Sequence, residues 1–180
     1  MKTLHYIIIL FSYISLSASS CKKEKTGIDA LPAATQEGKN TFGCLVNGEV
    51  FIARTTGLFG PPYFTCEYNF NSETNSFRFL LSGTDKIREP QSSISINSNS
   101  ISLTSGGKTI LRELKDGYAN AIYSETLIDE FSTTALSNGE ITITKLDESK
   151  RILSGTFWFD AVNETGEKVE VREGRFDMKY

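Results

Sequence analysis

Carboxylates are the plentiful catalytic groups of this chain: 22 Asp and Glu stand against a single histidine, His5. That histidine falls in an N-terminal leader expected to be cut away. The mature chain therefore lacks an imidazole base, a Ser-His-Asp or Cys-His arrangement and any histidine metal site. Asp129-Glu130, Asp147-Glu148 and Glu170 are of the type a glycosidase pair needs. The first two pairs sit at turns, however, and Glu170 alternates outward between Val169 and Val171. Solvated positions explain all of them better. Asn69, Asn71, Glu73 and Asn75 alternate like the oxygens of a calcium loop, but one charge and no spaced aspartates make a hairpin turn the stronger reading. Asn163-Glu164-Thr165 has the form of a glycosylation sequon and is read as a turn. The expectation is therefore no catalytic residue, no metal and no cofactor.

A different chemistry is written at Cys21. Lys2 and His5 precede an apolar run from Tyr6 to Leu16, and Ala18, Ser19 and Ser20 lead into the cysteine as SLSASSC. The run falls short of the roughly 20 residues of a membrane-spanning helix, and the small residues suit a cleavage site. A thiol at such a cut takes a diacylglyceryl group. The expected mature protein starts at Cys21, held to the membrane by acyl chains of the palmitate kind. Residues 1–20 are thus read as a lipoprotein signal peptide, 21–40 as a tether and 41–180 as a single domain. Lys22, Lys23 and Lys25 flank the anchor as a solvated, headgroup-facing stretch. With a formal net charge of −3 and no basic patch, nucleic acid is not an expected partner.

The elements that must carry any site are strands. Phe42, Cys44 and Val46 alternate up to Asn47-Gly48, a type I′ turn pair, with Val50 and Ile52 beyond it. Phe64, Cys66, Tyr68 and Phe70 share a face. The turn NSETN (71–75) separates them from Phe77, Phe79 and Leu81. Ile94 and Ile96 stand on one parity, Ile101 and Leu103 on the other, so a turn or bulge falls at 97–100. Short strands follow at 108–114 and 118–123, although ILRELK could form one helical turn. Asn138-Gly139 opens another strand through Ile141 and Ile143. In the last hairpin Leu153, Phe157, Phe159 and Ala161 alternate, NETGE (163–167) turns, and Val169 and Val171 point inward. Phe176, Met178 and Tyr180 then require the opposite parity, which a bulge at Glu173-Gly174 would absorb. About ten short strands and no convincing helix predict an all-β fold, either an antiparallel sandwich or a flattened barrel.

Cys44 and Cys66 occupy inward strand positions in a compartment that permits disulfides. A bridge between them would contribute roughly 3 kcal/mol; the alternative is two buried thiols. Two surface features stand out. Leu58, Phe59 and Tyr63 beside Pro61-Pro62 form a candidate contact loop, unless Phe59 plugs the end of the core. Trp158, opposite in parity to Phe157 and Phe159, is either covered by a second layer or exposed as a contact surface.

Three stretches carry a resemblance: LPAATQEGKNTFGCLVNGEVF (31–51), GEITITKLD (139–147) and SGTFWFDAVNETGEKVEVREGRFD (154–177). Together with the lipobox they resemble an uncharacterised family of Bacteroidetes lipoproteins, a domain of unknown function, with Phe51 standing where that pattern has tryptophan. The resemblance implies a β-rich envelope lipoprotein and supplies no activity. The reading is a lipid-anchored, non-enzymatic binding or assembly module of the cell outer membrane, facing an envelope protein or a glycan. Its rivals are a carboxylate-based glycan hydrolase and a structural component without a ligand.

Overall fold

The protein is described here by a computed structural model covering residues 25–55, 63–115, 117–125 and 129–180. Cys21, Leu58 and Phe59 lie outside the described residues. A 3-10 turn, Gly27–Ala30, precedes eleven strands: β1 Thr41–Val46, β2 Glu49–Ile52, β3 Phe64–Asn71, β4 Ser76–Asp85, β5 Ser92–Ser98, β6 Lys108–Ile110, β7 Asn120–Glu125, β8 Asp129–Ser132, β9 Gly139–Asp147, β10 Ile152–Val162 and β11 Lys168–Lys179. The fold is all-β, as the alternation predicts. Residues 111–115 form no helical turn.

The local turns are where the residue types placed them. Asn47 and Gly48 have φ of 50° and 84°, the positive pair that lets a two-residue turn follow the strand twist. That turn pairs Cys44 with Phe51, so Phe51 is the fully buried residue of β2, and Val50 and Ile52 are only half-buried. The β3–β4 hairpin pairs Cys66 with Leu81 and Tyr68 with Phe79 around a turn closed by Asn75, at φ 50°.

All strands belong to one antiparallel sheet, in the order β2-β1-β11-β10-β8-β7-β5-β4-β3, with β9 on β10 and β6 on β9. One edge of β10 serves two partners: Ile152 to Phe159 pair with β9, while Val162 meets Ser132 of β8. The sheet bends there and curls into a half-barrel. Short parallel bridges, Arg54 to Asp85 and Leu111 to Ala119, tie parts of it together across the curl. Inside lies one apolar cluster. The Phe42 ring packs against Phe51 and Phe157, with centroids 6.0 and 5.2 Å apart, and Phe157 also faces Phe159 and Phe176. Each such phenylalanine contributes on the order of 1.5–3 kcal/mol by burial.

The bulge is present, with its strain one residue earlier than expected. Between Phe157–Gly174 and Phe159–Val171, the single residue Trp158 opposes both Arg172 and Glu173. Glu173 takes the left-handed φ of 55°. Gly174 is required for a different reason: a Cβ there would sit 2.5 Å from the Phe157 ring and carbonyl oxygen. The extra residue changes parity as the sequence demanded. Val169 and Val171 are buried before it, Phe176 and Met178 after it.

Two expectations are corrected. Cys44 and Cys66 are free thiols. β1 is flanked by β2 and β11, while β3 pairs with β4 at the far end of the strand order, so the two cysteines are not on paired strands. The tether also ends before residue 40. Leu31 is buried, a Cβ on Gly43 would come within 2.7 Å of Pro32, and Gly38 is buried against Lys179 and Ile152. Residues 31–40 are a strap laid on β1 and β11.

Candidate functional site

Asp177 fastens the strap. Its Oδ1 accepts from the Gly38 amide at 2.7 Å and the Ser154 hydroxyl at 2.8 Å. Its Oδ2 accepts from the Thr35 hydroxyl at 2.5 Å and the amides of Glu37 and Lys39 at 3.0 and 3.2 Å. Burial alone would raise the carboxyl's pKa; the donors outweigh it and hold it at about 2. Asn40 Oδ1 then accepts from the Lys179 amide at 2.9 Å, and Lys145 Nζ donates to the Gln36 carbonyl at 3.1 Å. Asp177 was missed because strict alternation puts it on the solvent side of Phe176 and Met178. The strap covers that side, and all three are buried.

Beside the strap, the outer face of β9, β10 and β11 forms an open groove of about 490 Å³. Register builds it. Trp158 is paired with Glu140 on one side and meets the bulge on the other, while Thr156 lies between Thr142 and Arg175. Ala34 of the strap closes one wall, and Phe157 and Gly174 lie beneath. Trp158 is 40% exposed, so the outward alternative of the sequence reading is the one realised.

The bulge turns Arg172 back over the indole, its guanidinium carbon 5.6 Å from the ring. Arg172 Nη1 donates to the carbonyls of Phe159 and Val171 at 3.0 and 2.9 Å, and Nη2 to Asp160 Oδ1 at 2.6 Å. Lys168 approaches Asp160 at 3.1 Å and Glu170 at 2.9 Å. Burial pushes the Asp160 pKa up, and Arg172 and Lys168 more than reverse it, leaving it below the ordinary range. Glu140 takes hydrogen bonds from Lys108 Nζ at 2.9 Å and Thr142 Oγ1 at 3.2 Å, and Lys108 foremost holds its pKa low. Glu173 lies 3.6 Å from Arg175 Nη2, and the Arg175 Nε donates to the Glu173 carbonyl at 3.3 Å.

The other sequence candidates do not converge on this groove. Asp129 and Glu130 are exposed on β8, by the Val162 end of β10; Asp147 pairs at the Ile152 end, the opposite end of that 11-residue strand. Asp147 is spent on its own turn, accepting from Ser149 Oγ and the Lys150 amide at 2.7 and 3.0 Å, and the serine bond first of all lowers its pKa. Asn71 Oδ1 accepts from the Glu73 amide at 2.9 Å, and Asn163 Oδ1 from Thr165 and Glu167, both as turn residues. Among the described residues no three His, Cys, Asp or Glu side chains are grouped to hold a metal. Tyr63 of the expected contact loop is half-buried, its ring edge-on to Phe64 at 4.6 Å. Burial pushes the Cys44 thiol far above its usual range, and burial followed by Glu67's charge pushes Cys66 up to about 12.

A domain of unknown function, DUF6252, matches residues 93–178, just under half of the chain. The match runs from β5 into β11. It takes in Trp158, the bulge, Ser154 and Asp177, and leaves out the strap and β1 to β4. Comparison with curated proteins and with solved structures gives no match.

Proposed function

We propose that this is a lipid-anchored protein of the outer membrane, held through Cys21, and that its β domain is a non-enzymatic binding module working through the Trp158 groove. The observation that carries the binding reading is the half-exposed indole fixed under Arg172 within a concave, polar-rimmed surface. A solitary exposed apolar residue needs no explanation, but a pinned aromatic ringed by hydrogen-bonding groups is the make-up of a recognition site. The groove's chemistry argues against the hydrolase alternative. A glycosidase needs one carboxyl kept protonated by a raised pKa, and Glu140 is shifted the opposite way by Lys108. The anchor reading rests on the SLSASSC leader.

The test has two arms in cells making the full chain. Cys21→Ser should leave the membrane fraction or retain its leader; a processed variant that still sediments with membranes like the wild type refutes the anchor. A photoreactive residue in place of Ile110, exposed beside Glu140 on the same outward row, should crosslink to an envelope component and stop doing so when Trp158→Ala is added. Crosslinking that is absent, or unchanged by Trp158→Ala, refutes the groove as a binding site.

A further inference from the structure

We infer that the Trp158 groove takes a neutral carbohydrate, a pyranose ring stacked on the indole. This rests on the binding-module reading above and names its ligand class. The charges decide it first. Glu140 and Glu173 line the groove with Arg172 and Arg175, so the lining is electrically balanced. Arg172 spends its donors on Asp160 and two backbone carbonyls, and Glu140 is paired with Lys108. An anionic ligand would meet two carboxylates, and the spare N–H groups of Arg175 lie beside one of them, Glu173, 3.6 Å away, which offsets that cation's pull on a second acid.

What the groove does present is an apolar plate edged by mixed donors and acceptors. Trp158 supplies the plate. Thr156 is exposed and its hydroxyl both donates and accepts; the Thr142 hydroxyl, having donated to Glu140, keeps its acceptor side. Arg175 has guanidinium N–H groups beyond the one given to the Glu173 carbonyl, and Glu173 offers carboxylate oxygens, its side chain half-exposed. A sugar ring has the same division: C–H groups across its face and, around its rim, hydroxyls that each donate and accept. A purely apolar ligand would strand the polar rim, at about 1–3 kcal/mol for each group left unpaired. A volume of about 490 Å³ fits one or two such rings and lies within the usual range of small-molecule sites, about 300–1,000 Å³. The bulge is what makes the plate. By turning Arg172 over the ring it fixes the indole before the ligand arrives, removing an ordering cost from binding.

Trp158 is the chain's one tryptophan, so its fluorescence reports on this groove directly. The full chain should be titrated with neutral hexasaccharides (cello-, malto-, manno- and chito-oligomers) and with oligogalacturonate and heparin hexasaccharide as acidic counterparts. At least one neutral oligomer at millimolar concentration should shift the emission saturably and shield the indole from acrylamide. Glu173→Ala and Thr156→Val should each weaken that affinity by about tenfold, the value of one good hydrogen bond, with the denaturation midpoint unchanged. Calorimetry on Trp158→Ala should show no binding heat. The proposal is overturned if no neutral oligomer changes the signal, if only acidic ones do, or if the two variants bind as the wild type does. Loss of sugar binding alongside continued, Trp158-dependent crosslinking from position 110 to a protein would overturn the ligand class and leave the binding module standing.

Discussion

Replacing Asp177 by Asn keeps the shape of the side chain and removes its charge, which isolates what the carboxylate does. Five donors converge on it, two on Oδ1 and three on Oδ2. Whichever oxygen the amide nitrogen replaces, a donor is turned on donors and two or three bonds are lost. A hydrogen bond to a charged group is worth about 1.5–3 kcal/mol. Even with Ser154 or Thr35 rotating to accept, the loss should be about 3–5 kcal/mol, a large part of the 5–15 kcal/mol typical of a domain. The acid limb gives an independent check. The folded carboxyl sits at about 2 against 3.8 for the free group, so the folded state binds its proton more weakly. Its contribution is therefore complete above about pH 4 and is lost as pH falls towards 2, amounting to about 2 kcal/mol at 1.36 per unit. Urea denaturation at pH 7 and across pH 2–5 measures both, and protease cleavage within 31–40 should rise first as the strap lifts. A variant within about 1 kcal/mol of the wild type, or one with an unchanged acid limb, would refute the assignment of Asp177 as the clasp.

Gly174→Val should cost at least about 2 kcal/mol because its side chain would enter the Phe157 ring, whereas Glu173→Gly, which relieves a left-handed φ, should be neutral or stabilising in the same denaturation assay. Equal losses at the two positions would contradict the division between steric and conformational demand. In Cys21→Ser protein without reductant, two thiols should titrate per unfolded chain and react only slowly when folded, given the burial of Cys44, the partial burial of Cys66 and the raised pKa of both; finding none would restore the Cys44–Cys66 bridge.

What could be read from the sequence was whatever a few neighbouring residues decide. Asn47-Gly48 names its own turn, and the clash between Val169–Val171 and Phe176–Met178 requires an inserted residue whatever surrounds it. Which of the two bulge residues bears the positive φ was not legible. Glycine is the default for that conformation, but Gly174 is held by the approach of Phe157, so the strain falls on Glu173. Cys44 and Cys66 were rightly placed in hairpins and wrongly paired, because strand adjacency is non-local: β1 takes its neighbour from the C-terminal strand, more than 120 residues away.

Asp177 shows the same limit from the other side. Alternation reports which face a residue is on and says nothing of what lies over that face. The donors that bury Asp177 come from 138–142 residues upstream, in a stretch whose composition reads as a tether. The sparse apolar content that reads as a tether over 21–40 hides this, because residues 31–40 are held by the carboxylate they cover. The strap in turn contributes Ala34 to the wall of the Trp158 groove. The segment nearest the proposed anchor is thus joined both to the last strand and to the recognition surface, and displacing the clasp should alter groove binding before the barrel itself unfolds.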